Sequence, residues 1–534
     1  MKKLPIGIQT FSEVIKNNYV YIDKTKYIYE LIQAKYIFFS RPRRFGKSLL
    51  CSTLQELFSG NHDLFKGLWI DQNTDYCWPI HPVIYLDLSM IDSDTPNELK
   101  DSLISDLSDI AEFYKLGEIV RTTPGKMLKK IVIKLQEKFG QNVVIIIDEY
   151  DSPIIDHIQD LQKAKELQEV LKKFYTCIKG LDRYLHFVFI TGITRFSKTS
   201  IFSGMNQLQD VSMIPKFAHL AGYTKDEINF YFQEHLQKIV DDKKIFTKIG
   251  IEGVKNLLQT WYNGYCFCSE PKDQDGKDSE RLHAPFSILN FLYEANFKNY
   301  WFESGTPTFL IKVLKQKKYP IELFENLVAN DQQLMTLDIE NIQLSALLFQ
   351  TGYITIKDYD PKYKHYSLEM PNYEVKDSLL KCILTAMTEL SSSTINIELV
   401  NLKTALEAGD LDAFIDIMKK FYSMIPYTIA INNEKYYQTI FFVLLASINL
   451  EANVEIATNI GRIDLLVQTS KMLYLFEFKL DGSAKKALQQ ILDMRYYEAY
   501  QAKNKNIKLV GVNFSSDEKN ITGAPSIAYE CQLV

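Results

Sequence analysis

RPRRFGKSLL, running from Arg41 to Leu50, decides how this chain is read. A full phosphate loop runs Gly, four residues, then Gly-Lys-Ser/Thr; here Gly46, Lys47 and Ser48 are in place and Arg41 holds the first glycine position. The flanks supply the context that such a loop needs. KYIFFS, from Lys35 to Ser40, is an aromatic and β-branched run suited to a buried strand, and SLLCSTLQELF, from Ser48 to Phe58, has helical spacing and good helix formers. Strand, loop and helix together set backbone amides at a helix N-terminus, where they cradle anionic phosphate. Lys47 then reaches the β- and γ-phosphates, and the Ser48 hydroxyl reaches Mg²⁺.

A hundred residues later comes the matching half. NVVIIIDEYDSP, from Asn142 to Pro153, is an unbroken apolar run ending in Asp148-Glu149, the pattern of a central parallel strand that delivers carboxylates to the sheet's C-terminal edge. In that place Asp148 holds Mg²⁺ through water and Glu149 polarises an attacking water. PVIYLDLSM, from Pro82 to Met90, and LHFVFITGITRFSK, from Leu185 to Lys198, read as further strands of the same sheet. Thr191 and Thr194, at the end of the later run, are candidate sensors of the γ-phosphate or the water. Arg195 has two readings, a transition-state arginine acting in cis or from a neighbouring subunit, or a solvated surface residue. The candidate nucleotide-binding residues are therefore Arg41, Arg44, Gly46, Lys47, Ser48, Leu49, Asp148, Thr194 and Arg195, with Glu149 catalytic.

A length of 534 residues accommodates about three domains. Hydrophobic content of 46%, charged content of 24% and a net charge of −5 exclude an acidic or basic tail and a wholly basic nucleic-acid binder. Seven cysteines scattered from Cys51 to Cys531 suit a reducing compartment, and the isolated Cys266-x-Cys268 is weak support for zinc. The N-terminus lacks the apolar core of a secretion signal, and no run reaches the roughly 20 apolar residues of a membrane span, so the expected location is cytoplasmic.

Past the nucleotide-binding segment, AGYTKDEINFYFQEHLQKIV, from Ala221 to Val240, opens helically with Thr224 as N-cap and Glu227 three residues on. VKNLLQTWYNGY and PFSILNFLYEANF continue the helical pattern around a charged loop from Ser269 to Leu282, as in an α-helical lid. From about Leu334 to Met370 short alternating pieces fit a hairpin or a winged-helix-like module. SSST, Ser391 to Thr394, marks a boundary, giving expected domains of 1–220, 221–390 and 391–534.

The last third carries a second set of charged residues. GRIDLLVQ, Gly461 to Gln468, and KMLYLFEFKL, Lys471 to Leu480, read as two strands joined by a short turn. Residues two apart in a strand share a face, so Glu477 and Lys479 point one way while Phe476 and Phe478 point the other. Charges projecting from an apolar strand are costly to bury without a ligand. Asp464 comes alongside across the hairpin, and two carboxylates with a lysine suit Mg²⁺ or Mn²⁺ at Asp464 and Glu477, with Lys479 stabilising charge on an attacked phosphodiester. Glu455, on NVEIA, is a further candidate carboxylate, and Gln490, on the helix from Ser483 to Tyr500, a supporting residue. A surface salt-bridged hairpin is the plain structural alternative.

LPIGIQTF with YVYIDKTKYIYEL (Tyr19 to Leu31), RPRRFGKSLL, IIIDEYDSP and TGITRFSKTSIFSGMNQL together resemble the bacterial AAA-ATPase-like family. GRIDLLV, LFEFKLDGSA and ALQQI resemble the PD-(D/E)xK nuclease domain that ends such proteins. That family's own loop reads RPRRFGK, so the resemblance makes Arg41 its normal form. The fold it implies is α/β: a P-loop NTPase parallel sheet with helices on both faces, an α-helical lid or winged-helix-like middle region, and a C-terminal restriction-endonuclease-like α/β/α domain. It implies nucleotide contact at Gly46, Lys47 and Ser48, carboxylates at Asp148 and Glu149, and a nuclease set of Asp464, Glu477 and Lys479 supported by Glu455 and Gln490. Cys266 stands where members often carry arginine, and Gln438 where histidine is frequent.

The expected function is an ATP-dependent, Mg-dependent nuclease acting on DNA, with a possible homo-oligomer formed through the ATPase domain; the alternative is a nucleotide-dependent switch or assembly protein whose C-terminal domain binds without cleaving. From residue 395 to 534 there are 14 Lys/Arg against 16 Asp/Glu, a net of −2. DNA binding there would rest on a confined surface of Lys485, Lys486, Arg495 and the lysines from Lys503 to Lys508.

Overall fold

Four apolar runs, β1 (Tyr36–Ser40), β2 (Val83–Asp87), β3 (Val143–Asp148) and β4 (Leu185–Gly192), together with the short polar β5 (Gln209–Asp210), build the N-terminal parallel sheet. The computed structural model describes residues 1–196, 201–202, 204–271, 279–303, 327–388, 391–425, 434–448, 450–457, 462–503, 506–524 and 526–529. The chain divides into two compact units, the first formed by Met1–Ser304 with Val328–Glu374, the second by Val375–Val534.

The sheet order is β2-β3-β4-β1-β5, with every pairing parallel. Each residue of β1 and β3 is buried, as a parallel sheet covered by helices on both faces requires. Capping residues mark where the covering helices start. Thr95 and Glu98 form a reciprocal capping box on Pro96–Phe113, and the Asp160 side chain accepts the Lys163 N–H at the start of Leu161–Lys179. Because β4 lies between β1 and β3, the phosphate loop after β1 and the acids ending β3 flank the C-terminal end of β4.

Helices Lys225–Tyr231, Gln233–Asp242, Lys244–Tyr262 and Pro285–Glu294 share a core with Val20 and Ile22 near the N-terminus, and the break between the units follows Glu374 rather than residue 390. Apolar residues from both ends of the first unit thus bury one surface together. The segment left open between hairpin and winged helix contains β6 (Val328–Asn330), two helices (Asp331–Met335 and Leu344–Thr351), then the hairpin β7 (Thr355–Asp360) and β8 (His365–Glu369), in the antiparallel order β6-β8-β7. This strand–helix–helix–hairpin order is winged-helix-like. Its second helix is buried over Ala346–Gln350 and so serves as a packing element of the unit.

The second unit is α/β/α. β9 (Glu451–Ala457), β10 (Arg462–Gln468), β11 (Met472–Leu480), β12 (Asn506–Ser515) and β13 (Asn520–Gly523) form a sheet in the order β13-β12-β11-β10-β9, and β14 (Ser526–Tyr529) also pairs with β12. Only β11 and β12 run parallel, and helix Ala484–Asp493 connects them. Strand alternation sorts the two faces. Phe476 and Phe478 pack on Phe441, whose helix is Glu434–Ser447, while Leu473 and Leu475 pack with Leu488 and Ile491 of the connecting helix.

Gly511 sets how closely that helix approaches the sheet. A Cβ there would sit inside the Ala484 carbonyl oxygen and the Leu488 backbone, neither of which can rotate away. Gly511→Ala is expected to destabilise the second unit by about 3 kcal/mol through overpacking, read by urea unfolding followed in that unit. A loss below about 0.5 kcal/mol would show that the helix stands off the sheet.

Candidate active sites

The chain leaves β1 into the phosphate loop, and Gly46 at φ +92° is the N-cap of helix Lys47–Phe58. Only glycine takes that conformation without strain, which is why the tight turn and the helix start meet at this residue. The Lys47 side chain is 3% exposed; its Nζ donates to the Pro42 carbonyl at 3.2 Å and lies 3.6 Å from Glu149 Oε1. Glu149 itself has φ +49°, a left-handed backbone that turns its carboxylate back over the loop. Asp148 is fully buried. Its Oδ1 accepts the Glu149 N–H at 2.9 Å, and its Oδ2 has no hydrogen-bond partner. Burial raises the Asp148 pKa to about 6, against the downward pull of the Ser48 hydroxyl and the Lys47 charge.

These residues suit a magnesium–nucleotide complex. A buried carboxylate oxygen lacking a partner, beside the Ser48 hydroxyl, is a cation-ready pair, and Lys47 is held where a phosphate would replace Pro42 and Glu149. Thr191, on β4 between the loop and the acids, keeps a buried hydroxyl that has no hydrogen-bond partner, as a sensor position requires. Leu49 lies half-buried in the first helical turn.

Three expected nucleotide contacts are placed elsewhere. Arg41 points into the unit: it donates to the carbonyls of Ser40, Ser212, Phe217 and Ala218 and lies 4.5 Å from the ring centroids of both Phe39 and Phe267. Enclosure of the guanidinium, and the like charge of Arg195, lower its pKa to about 9; its hydrogen bonds to four carbonyls make Arg41 an internal brace. Arg195 is buried, pairs with Asp210 and also contacts Met335, so the reading of it as a solvated surface residue does not hold. Thr194 gives its hydroxyl and its N–H to Asp151. Arg44 is half-buried over the Phe286 ring at 4.2 Å, on the loop's inner flank. Cys266 and Cys268 are buried thiols pushed up by burial, and among the described residues no group of three His, Cys, Asp or Glu is arranged around a metal position.

Asp151 is a residue the sequence reading passed over. Fully buried, it accepts hydrogen bonds from the N–H groups of Ile193 and Thr194, and burial followed by the nearby Glu149 charge raises its pKa to about 6. It ties the turn after β3 to the end of β4, so the third acid of DEYD was the available signal.

The second unit assembles its own charged set. The antiparallel register that pairs Leu465 with Phe476 sets Asp464 opposite Glu477, and Asp464 Oδ2 accepts the Phe478 N–H at 2.9 Å. Glu477 is 2% exposed, Lys479 Nζ lies 3.5 Å from its Oε1, and the Gln490 amide donates to the same oxygen. Oε2 is buried without a hydrogen-bond partner. Burial, reinforced by the charge of Asp464, raises the Glu477 pKa to about 7, with Lys479 pulling the other way. A carboxylate that is buried, held from one side and open on the other fits a hard divalent cation, which would draw on Asp464 and Glu477 and complete its shell with backbone oxygen and water. β9 carries Glu455 between Val454 and Ile456, partners of Leu465 and Ile463, so Glu455 is in register with Asp464; its side chain lies outside the described residues.

Glu434 was also missed. One of its oxygens accepts the Leu480 N–H at 3.1 Å and the other the Gln438 amide at 3.2 Å, and its charge reaches Glu477. Gln438 thus fixes a carboxylate at this site. Of the expected basic surface, Lys485 and Lys486 are exposed, Arg495 pairs with Glu498 at 3.6 Å, and Lys508 is tied to the Gly409 carbonyl at 2.6 Å; Lys505 and the side chain of Lys503 lie outside the described residues.

The first unit is of the P-loop NTPase class and the second of the restriction-endonuclease-like class. Residues 5–202 match the family model described as "Predicted AAA-ATPase", and residues 432–523 match the PD-(D/E)XK nuclease superfamily. An uncharacterized protein in the vnfD 5′ region of Azotobacter chroococcum mcd 1 is 33% identical over 546 residues, covering 98% of each chain. This chain belongs to the AAA-ATPase-like family and carries a PD-(D/E)XK nuclease superfamily domain at residues 432–523. Among solved structures, the Aeropyrum pernix ORC1 protein in complex with DNA aligns at 10% identity with a TM-score of 0.25, covering 70% of this chain and 96% of that one. Among the described residues no helix is long and apolar enough to cross a membrane.

Proposed function

We propose that the protein binds and hydrolyses ATP in its first unit and cleaves DNA phosphodiester bonds in its second, with Mg²⁺ at the first site and Mg²⁺ or Mn²⁺ at the second. The carrying observation is Glu477: a carboxylate 2% exposed, opposite Asp464, flanked by Lys479 and Gln490, with one oxygen left without a partner. A structural salt bridge would satisfy both oxygens.

At the first site the loop amides and Lys47 bind the phosphates, Ser48 and Asp148 hold the cation, and Glu149 takes a proton from water as general base. At the second, Asp464 and Glu477 hold a cation, Gln490 fixes the Glu477 carboxylate, and Lys479 presents its ammonium to the charge that develops on the phosphate. When bound, the divalent cations supply charge neutralisation and a water of lowered pKa.

The test is incubation of the full chain with supercoiled and linear DNA and with RNA, in Mg²⁺ or Mn²⁺, with and without ATP. Metal-dependent DNA cleavage that Asp464→Asn and Lys479→Ala both lose supports the proposal. ATP hydrolysis with every nucleic acid left intact would instead make the protein a nucleotide-driven switch whose second unit binds without cutting.

A further inference from the structure

The chain carries a net charge of −5, yet two packed helices of the first unit concentrate the opposite sign. Helix Pro124–Phe139 carries five lysines and one acid, and helix Leu161–Lys179 five lysines and two acids, together a local charge of +7. Helices Pro124–Phe139 and Leu161–Lys179 meet at Gly125, where an added Cβ would come within 3.6 Å of the Lys173 carbonyl, and Lys129 is close enough to Cys177 to oppose the effect of burial on its thiol. Lys126, Lys129, Lys130, Lys173 and Lys179 are all exposed, and none of the five forms an ion pair among the described residues. Lys134 and Lys138, by contrast, are spent on the carbonyls of Tyr114, Lys115, Leu116 and Glu118. The neighbouring helix Pro96–Phe113 carries five carboxylates and one lysine, so charge is segregated by helix instead of being interleaved as on an ordinary solvated face.

From this concentration of unpaired lysines we infer that the face built by Lys126, Lys129, Lys130, Lys173 and Lys179 is a docking surface for the sugar-phosphate backbone of duplex DNA. The choice of occupant rests on the nuclease reading. Residues 395–534, which carry the nuclease set, are net negative, whereas these two helices hold the opposite sign at higher density, which favours them as the source of long-range attraction for a polyanion. Unpaired lysines in a cluster meet a duplex backbone without sequence preference, and their contribution appears as counterion release.

The experiment measures binding of a fluorescent 30-base-pair duplex to the full chain by anisotropy, without divalent metal, from 50 to 300 mM salt. Lys126→Gln/Lys129→Gln/Lys173→Gln is expected to weaken low-salt binding at least tenfold and to reduce the slope of log K against log [salt] by about 2–3, at roughly 0.9 per lost phosphate contact. The triple arginine variant is expected to keep both, which separates loss of charge from loss of fold. A control triple elsewhere, Lys100→Gln/Lys255→Gln/Lys362→Gln, is expected to leave the slope within 0.5 of the wild type. Unchanged affinity and slope in the glutamine triple overturn the proposal. So does loss of self-association by sedimentation with DNA binding intact, which would assign the face to a second copy docking its acidic helix. The nuclease reading is decided separately by the metal-dependent cleavage assay: a wild type that cuts while the glutamine triple binds normally sinks the surface alone.

Discussion

Glutamine in place of Glu149 is expected to lower ATP turnover by about 10³-fold, the middle of the range for removing a positioned general base. Nucleotide binding should survive, and tighten. In the structure Lys47 lies 3.6 Å from the Glu149 carboxylate and donates to Pro42, so phosphates must win the ammonium from an anion that the amide does not supply. Glutamine keeps the size and the left-handed turn at φ +49° while removing the charge, so a large change in fold stability is not expected. The checks are single-turnover hydrolysis and ATP-dependent thermal stabilisation. Turnover within tenfold of the wild type would exclude Glu149 as base, and loss of ATP stabilisation would show that the ion pair organises the loop. Lys47→Ala is the complementary case, with binding itself expected to fall.

Glutamine at Glu477 is expected to reduce metal-dependent cleavage by about 10²–10³-fold, comparable with loss of one transition-state-stabilising group in a preorganised site, and to erase a pH dependence that the wild type shows. The sign follows from the direction of the shift. Folded Glu477 keeps its proton up to about 7, above the usual carboxylate range that it regains on unfolding. Without metal, its contribution to stability is therefore fully present at low pH and is lost as pH rises through 7. A cation requires the ionised form, so apparent metal affinity rises with pH across the same window, by about tenfold between pH 6 and pH 8. Thermal unfolding with and without Mn²⁺ at the two pH values reads both effects. Equal metal stabilisation at pH 6 and pH 8, or a Glu477→Gln protein that retains the difference, would remove Glu477 from the cation site.

The parallel sheet was legible because β1 and β3 are buried on both faces and therefore written as unbroken apolar runs, each leading into candidate site residues. The alternation of β11 likewise separates Glu477 and Lys479 from Phe476 and Phe478 before any coordinates are known. Arg41 was not legible. Its neighbours in sequence are loop residues, whereas its environment is made by Ser212, Phe217, Ala218 and Phe267, and nothing local reports that the side chain turns inward. The partners of Arg195, Asp210 and Met335, likewise lie at different distances along the chain, so its burial was not legible either. The position of Glu434 depends on where a helix end meets the end of β11, a tertiary fact with no spacing rule. The 220 boundary assumed that a change of pattern marks a change of core, while Val20 and Ile22 bury the same apolar surface as the later helices.

The backing of the phosphate loop has a consequence for how the protein is made. The Arg43 carbonyl accepts the Trp301 indole N–H across 258 positions, Arg44 lies over Phe286, and Phe45 packs edge-on to Tyr265 and Phe267. A ribosome that has delivered the strand, the loop and the acid pair has still not delivered the residues that hold the loop in shape. Such non-local closure is slow to form. A nascent chain that stops short of Trp301 therefore carries the loop motif without the contacts that back it.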